Sequence, residues 1–575
     1  MRLAWILLAL ATPSRAQGTP PFAIHVVDAA TGRGVPMVEL ETTSHLVFVT
    51  DSSGFAAIDE PELEGTSAFF HIRSHGYTFP KDRFGYAGAR CLVRRGTTKK
   101  VKLGRNNIAE RLYRLTGSGV YSDSVKLGRA VPTKNAVRNG GVFGQDSVVN
   151  AIYKGKLFWF WGDTNRASYP LGNFAVSGAT SLLPKDGGLP PDRGVDLTYF
   201  VNKRGFSRPM CKLKGRGPVW IFGLMVVEHE GKERMLTHFS RMKNLGTRLE
   251  HGIVVYDDAQ ERFVKTKVFP LASNLHPGGN PVRVGEWFYF PNPYPTARVR
   301  ARYEDILDVD MYEAFGYHDG AWRWKGGTRK RSARRPQKLP KGIQNWMGLR
   351  DVETGKAIKG HGGTIHWNAH RKKWVMIALE TFGRSMLGEV WFAEADTLVG
   401  PWGYARRIVT HKSYSFYNVK QHPYFDEDGG RRIYFEGTYT AMFSGAKTKT
   451  PRYDYNQIMY RLDLDDERLK LPVPVYEVEG EEGTLDGPTV TRRKLWSKVR
   501  HTPYWMMQGR GASLQNEEKP LPAQVQLYVW RDEQGRPRLR TLLDPPGEGW
   551  KREAKPAFYA WPAPTTHPPV METPR

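Results

Sequence analysis

Between Asn139 and Leu464 one pattern keeps returning: an apolar strand, a tight turn, and a second strand rich in aromatic residues. The copies are "GQDSVVNAIYKGKLFWFWGDT", "VWIFGLMVVEHEGKERMLTHFSR", "GGNPVRVGEWFYFPNPYP", "HGGTIHWNAHRKKWVMIALETFG" and "VKQHPYFDEDGGRRIYFEGTYT". Further strand-like stretches follow several copies, as in "HGIVVYDDAQERFVKTKVFP" and "GEVWFAEADTLVGPWGYARRIV". Short apolar runs bounded by Gly, Asn and Asp carry the period of strands, and no sustained helical period competes with them. The copies are spaced by roughly 60 to 80 residues, too far apart for a short solenoid repeat and suited to four-stranded blades around a channel. Five copies predict five blades.

Hairpin arithmetic then places the acids. In an antiparallel pair, residues equidistant from the turn face each other. A turn at Lys154-Gly155 sets Asp146 across from Asp163. A turn within Asn368 to Lys372 sets His361 near Glu380, and one around Asp426 to Gly430 sets Gln421 and His422 near Glu436. These open ends are expected to converge on one mouth of the channel. Paired carboxylates cleave glycosidic bonds, one donating a proton and the other acting as base or nucleophile, and burial or mutual repulsion can raise one pKa above the other. The catalytic candidates are therefore Asp146, Asp163, Glu436 and Glu380, with one aspartate as base or nucleophile and Glu436 or Glu380 as donor. Each has a competing structural role, because Asp163 can cap a turn and a glutamate ending an apolar strand needs a partner. Trp161, Trp367 and Tyr439 are candidate sugar platforms, against the alternative of filling space between blades. Arg241, His361, Gln421 and His422 are candidate polar ligands of the substrate.

The charge narrows the partners. Eighty-five Lys and Arg oppose 58 Asp and Glu, a formal net charge of +27, which favours polyanions. Arg2, the apolar run Leu3 to Ala11, Pro13 and Ser14-Arg15-Ala16 read as a secretory signal peptide spanning 1–16. The expected location is secreted or periplasmic, with no nucleic-acid partner, and no later apolar run is long enough for a transmembrane anchor. A carbohydrate fits this context, including a sulfated or uronate-containing one. The segment 325–341 holds eight Lys or Arg and no acid, and reads as a solvated loop or as a flap for sulfate or carboxylate groups. Cys91 and Cys211 fall in different expected domains, which leaves their pairing open and excludes a disulfide-stapled scaffold.

Ahead of the repeats, the chain from Phe22 alternates apolar and polar residues between turns of Asp, Ser, Thr and Gly. The pattern "V-x-D-x-x-T-G-x-G-V-P" followed by "T-D-x-x-G" resembles the prealbumin-like sandwich of carboxypeptidase regulatory domains and transthyretin, which implies an accessory module. Its His25, His45, His71 and His75 read as strand-surface residues rather than a metal cluster. The expected organisation is a signal peptide at 1–16, a β-sandwich at 20–104, a five-bladed propeller at 139–480, and a C-terminal β extension with a Pro-rich tail at 481–575. That extension either closes the ring or stands as an appended unit. The fold class is all-β: a small β-sandwich followed by a five-bladed β-propeller.

The repeats resemble the five-bladed propeller glycosidases, the superfamily of arabinanases and β-xylosidases. "GEVWFAEADTLVGPW" is similar to a strand and turn of those enzymes, and "GQD" and "WGDT" are similar to the first repeat of a secreted endo-arabinanase-like family. The resemblance implies a glycoside hydrolase with Asp146 and Asp163 as the leading pair and no cofactor, although such channels can hold a structural Ca²⁺. The chain departs from the pattern in the third repeat, where "HPGGNPVRVGEWFYF" offers His276 and Asn280 in place of an acid. Two alternatives stay open: a non-catalytic carbohydrate- or surface-binding propeller, and a polysaccharide lyase using a Lys, Tyr or His base beside an Arg.

Overall fold

The computed structural model describes residues 18–273, 277–326, 341, 347–478 and 499–507, together with 521–564 apart from 536, 544, 555 and 557. The expected signal peptide, His276 and most of the basic segment 325–341 lie outside the described residues. Among the described residues, the only α-helices are the single turns Ser122–Lys126 and Tyr303–Leu307. The fold is all-β.

Two four-stranded sheets form the N-terminal sandwich. One runs Phe55–Ile58, Phe22–Asp28, Thr98–Arg105 and Tyr77–Thr78; the other runs Val47–Val49, Glu39–Thr42, Ser67–Arg73 and Gly88–Leu92. The period-2 alternation does the sorting: Phe70 and Ile72 turn inward to meet Ile24, Val26 and Leu40, while their neighbours Phe69 and His71 pack edge to face outside that core. The histidines are dispersed. His25 stacks on Phe55, His45 pairs with Glu41, His71 meets Phe69 and Tyr86, and His75 lies against His411 and Tyr414 of the propeller.

Five blades follow, each beginning at the channel. The first contains Val149–Tyr153, Lys156–Trp161, Ser177–Ser181 and Thr198–Tyr199, and the second Val219–His229, Lys232–Met242, Arg248–Asp257 and Arg262–Phe269. The third contains Val282–Val284, Trp287–Pro291, Pro295–Arg300, Glu313–His318 and Ala321–Lys325. In the fourth, Gly360–Asn368, Lys373–Glu380, Val390–Ala395 and Tyr404–Val409 are extended outward by Leu349–Asp351 and Ala357–Ile358. The fifth takes Ser415–Gln421, Arg432–Thr440 and Asn456–Asp463 from the end of the ring, and Glu110–Arg114 from ahead of the first blade.

Apolar clusters join each blade to the next around a full circle. Phe160 meets Phe239 and Tyr256; Leu236 and Ile253 meet Phe288 and Val299; Tyr289 meets Met376 and Trp391. Val375, Ile377 and Leu379 then meet Phe416 and Phe435, and Tyr434 and Met459 return to Trp159 and Trp161. Strands buried on both faces must be apolar at every position, which explains why "KWVMIALE" lacks clean alternation. The closing strand brings Leu112 and Tyr113 into the last of these clusters and fastens Glu110 to Arg461 at 2.6 Å.

The C-terminal strands do not close the ring. Pro472–Val478, Val499–Met507, Phe558–Pro562, Val525–Arg531 and Pro537–Arg540 form a separate sheet that docks on the fourth blade, where Trp505 and Trp561 pack against Tyr404 and Trp561 donates to the Val352 carbonyl at 2.9 Å. Cys91 and Cys211 are both buried and free, the first in the sandwich core and the second between the first two blades.

Candidate active site

The hairpins open onto a cavity of about 480 Å³ on the propeller axis, lined from all five blades. The first blade contributes Asp146, Ser147 and Asp163, the second Trp220 and Phe222, the third Asn280 and Asn292, the fourth Gly362 and Gly363, and the fifth Tyr417, Asn418 and Tyr455. Asp146 and Asp163 are the two carboxylates among the described lining residues, and no Lys or Arg is among them.

The pair is built by its own hairpin. Asp146 and Asp163 stand just beyond the paired stretch that ends at Val149 and Phe160. The Asp163 backbone N–H donates to Asp146 Oδ1 at 2.9 Å, and the Gly162 N–H donates to the Asp146 carbonyl at 2.8 Å. Glycine at 162 leaves room for the Asp146 carboxylate, since a Cβ there would lie 2.3 Å from Asp146 Oδ1 and displace it. Opposite, the Tyr417 hydroxyl donates to Asp146 Oδ2 at 2.9 Å.

These contacts act on both proton affinities. Burial raises the Asp146 pKa, but the Tyr417 and Tyr455 hydroxyls and the Asp163 amide stabilise its carboxylate and hold the rise back. Asp163 is pushed up to about 7, first by burial and then by the neighbouring Asp146 charge, with Trp220 opposing. Its Oδ1 is buried without a hydrogen-bond partner. Both carboxyls are thus lifted by burial, and Asp146 alone has two tyrosine hydroxyls to favour its charged form.

Strain gathers here as well. Ser147, Asn418, Phe443 and Tyr455 all line the cavity and all adopt left-handed backbone, with φ of 57°, 53°, 54° and 66°. Non-glycine residues are held there only where surroundings over-determine them, commonly at functional sites. Trp220, Phe222, Leu245 and Phe443 supply apolar wall, and Asn280, Asn292 and Asn418 supply amides. Aromatic faces with amides around them suit a polyhydroxylated ring.

The remaining sequence candidates lie elsewhere. Glu436 is fully buried between the fifth and first blades, where His422 Nε2 lies 3.0 Å from its Oε1 and burial lifts it to about 8. His422 Nδ1 is met by the Tyr424 hydroxyl at 2.8 Å and the Asn150 amide at 3.2 Å; both are donors, so Nε2 carries the proton that goes to Glu436. Gln421 is buried beside Asp426, with its backbone N–H on Thr364. Glu380 is turned over the fourth blade and accepts from the Trp391 indole at 2.8 Å. His361 is exposed and outside the described lining, although Gly362 and Gly363 belong to it.

Four further candidates stand outside the cavity lining. Trp161 is 1 % exposed and stacks on Trp159 at 6.0 Å inside the cluster joining the fifth and first blades, so it offers no face to a sugar. Tyr439 is equally buried, stacked on Tyr414 and hydrogen-bonded to Thr450. Trp367 is exposed, but at the far end of its strand, edge-on to Trp374. Arg241 is held by Glu250 at 3.1 Å and by the Arg216 carbonyl. The sequence reading missed Trp220, Tyr417, Tyr455 and Asn292; their one sequence signal is an aromatic or Asn at the mouth end of a blade, in "VWIF", "SFYN", "DYNQ" and "FPNP".

Among described residues no group of three or more His, Cys, Asp and Glu is placed to hold a metal ion, and His422 faces Asn150, Tyr424 and Glu436.

No protein-family model matches the chain, and no curated protein matches it. Among solved structures it is similar to a putative hydrolase from Bacteroides ovatus ATCC 8483, with TM-score 0.36 and 14% identity over 56% of this chain and 86% of that one. It is also similar to an exo-1,5-α-L-arabinanase from a bovine ruminal metagenomic library, with TM-score 0.31 and 13% identity over 56% and 93%. A third is a putative exo-β-1,3-galactanase from Bifidobacterium bifidum, with TM-score 0.33 and 10% identity over 62% and 94%. At these scores the likenesses carry no part of the functional reading, which rests on the cavity.

Proposed function

We propose that the chain is a glycoside hydrolase that cleaves a poly- or oligosaccharide in the axial cavity, and that segment 1–16 exports it. One observation carries the reading: two adjacent carboxyls, tied together by a backbone amide, in a cavity walled by aromatic rings and amides. Protonated Asp163 donates to the glycosidic oxygen as the bond breaks, and ionised Asp146 attacks the anomeric carbon or activates the water that does. Tyr417 and Tyr455 hold the Asp146 carboxylate in place while positive charge develops on the sugar.

The sugar at the point of cleavage is neutral, since the described lining offers two acids and no cationic side chain.

The test is reducing-end release from neutral, uronate and sulfated polysaccharides. Cleavage of a neutral glycan supports the reading, and products absorbing as unsaturated uronates replace it with a lyase. A binding propeller without catalysis is favoured by one fact: Glu436 and Glu380 both stand away from the cavity, leaving Asp163 as the only described candidate donor. Glycan binding without turnover establishes that second reading.

A further inference from the structure

Beneath the cavity floor a lysine is buried where nothing in the reaction demands one. Lys420 is 6 % exposed and lies across the ladder from Glu436. Its Nζ donates to Asn280 Oδ1 at 2.8 Å. Asn280 comes from a different blade and lines the cavity. Its backbone is pinned by Gly279, which has φ of +78° and would place a Cβ 2.0 Å from the Pro291 carbonyl oxygen.

The chemistry of this contact fixes a direction. Lys420 Nζ carries N–H donors whether or not it is charged, and with the Asn280 oxygen accepting from it the amide NH₂ faces away. The same logic runs back through the blade. His422 meets Asn150 and Tyr424 on one side and Glu436 on the other, and Glu436 lies across the ladder from Lys420, whose pKa burial brings down to about 7 with the Glu436 charge opposing. Asn280 thus stands at the end of a polar chain, and accepting from Lys420 polarises its amide so that the NH₂ is a stronger donor.

We propose that Lys420 is a positioning residue that locks the Asn280 amide with its NH₂ toward the cavity, where it donates to an oxygen of the substrate sugar and holds the ring against the Asp146–Asp163 pair. The inference rests on the glycoside hydrolase reading for its substrate but not for the Lys420–Asn280 contact. Glu436, on this view, acts through Lys420 and never touches the sugar.

Two substitutions separate the parts. Asn280→Asp keeps an acceptor for Lys420 but presents no donor to the cavity, and Lys420→Met removes the lock while filling its space. In a double-mutant cycle on thermal unfolding, Lys420→Met costs more in the Asn280→Asp background than in the wild type, because it strands a buried carboxylate. Strictly additive effects overturn the contact, whatever the glycan results. On the cleaved glycan, both variants raise KM about tenfold, the loss expected for one hydrogen bond to a neutral oxygen, with kcat changed less. An active wild type whose KM is unaltered by either change overturns the positioning role alone. A wild type that neither binds nor cleaves any glycan overturns the hydrolase reading and the positioning role with it, while coupling between 280 and 420 is still measured.

Discussion

The Asp163 backbone N–H donates to the Asp146 carboxylate at 2.9 Å, so the two acids of the cavity are tied to each other by the turn that presents them. The same bond that stabilises charge on Asp146 places that charge beside Asp163 and helps keep Asp163 protonated. Neither affinity can be altered without the other responding.

Asp163 as proton donor makes a prediction about leaving groups. Asp163→Asn should lower kcat on a natural glycan by about 10²- to 10⁴-fold, the usual worth of a positioned acid. Aryl glycosides whose leaving group needs no proton should lose far less. Equal losses on both substrates would remove Asp163 from the donor's role.

The wild-type pH profile of kcat/KM should fall as pH rises through about 7, when free Asp163 loses its proton. Tyr417→Phe removes a donor to ionised Asp146, so the Asp146 pKa rises and the acidic limb of the profile moves to higher pH. An acidic limb that stays in place would show that Asp146 does not set it.

Glu380→Gln should leave kcat/KM within about twofold of wild type and cost no more than about 1 kcal/mol of stability, since an amide oxygen can still accept from Trp391. Initial rates and thermal melts check both. A large loss of turnover would return Glu380 to the catalytic list.

Much of this site could be read before folding, and the limit is instructive. Counting outward from Lys154-Gly155 brought Asp146 to Asp163, and counting from the 426–430 turn brought His422 to Glu436, because register in a hairpin follows from the turn. Which face each acid takes was not legible. The ladder slips between Tyr417 and Lys420 and between Gly360 and Gly362, and a one-residue slip turns side chains to the opposite face. Trp161 looked like a sugar platform because nothing in "WFWGDT" tells a ring facing the channel from one facing the next blade. The closing strand "ERLYR" was invisible for another reason: its partner lies some 345 residues away, as in Ile458 opposite Arg114, and no local period records such a pairing.

The junction between sandwich and propeller should respond to acid. His75 lies 5.9 Å from His411 and 5.3 Å from Tyr414, and burial with the nearby Arg111 charge brings His75 down to about 4. Between that value and about 6.5 the unfolded chain binds a proton that the folded chain refuses, so stability falls as pH drops through this window. The His75 contribution is about 3 kcal/mol at most, and it is fully present above pH ~6.5. Thermal melts from pH 7 to 4 should show a shallower decline for His75→Gln than for wild type; parallel curves would assign the acid sensitivity to other groups.

The most direct test of the central claim compares wild type, Asp146→Asn and Asp163→Asn by reducing-end release on the glycan the wild type cleaves best, with folding checked by circular dichroism. The account predicts that both variants stay folded and lose nearly all turnover, while still binding the glycan. Turnover near the wild-type rate in either folded variant would contradict it.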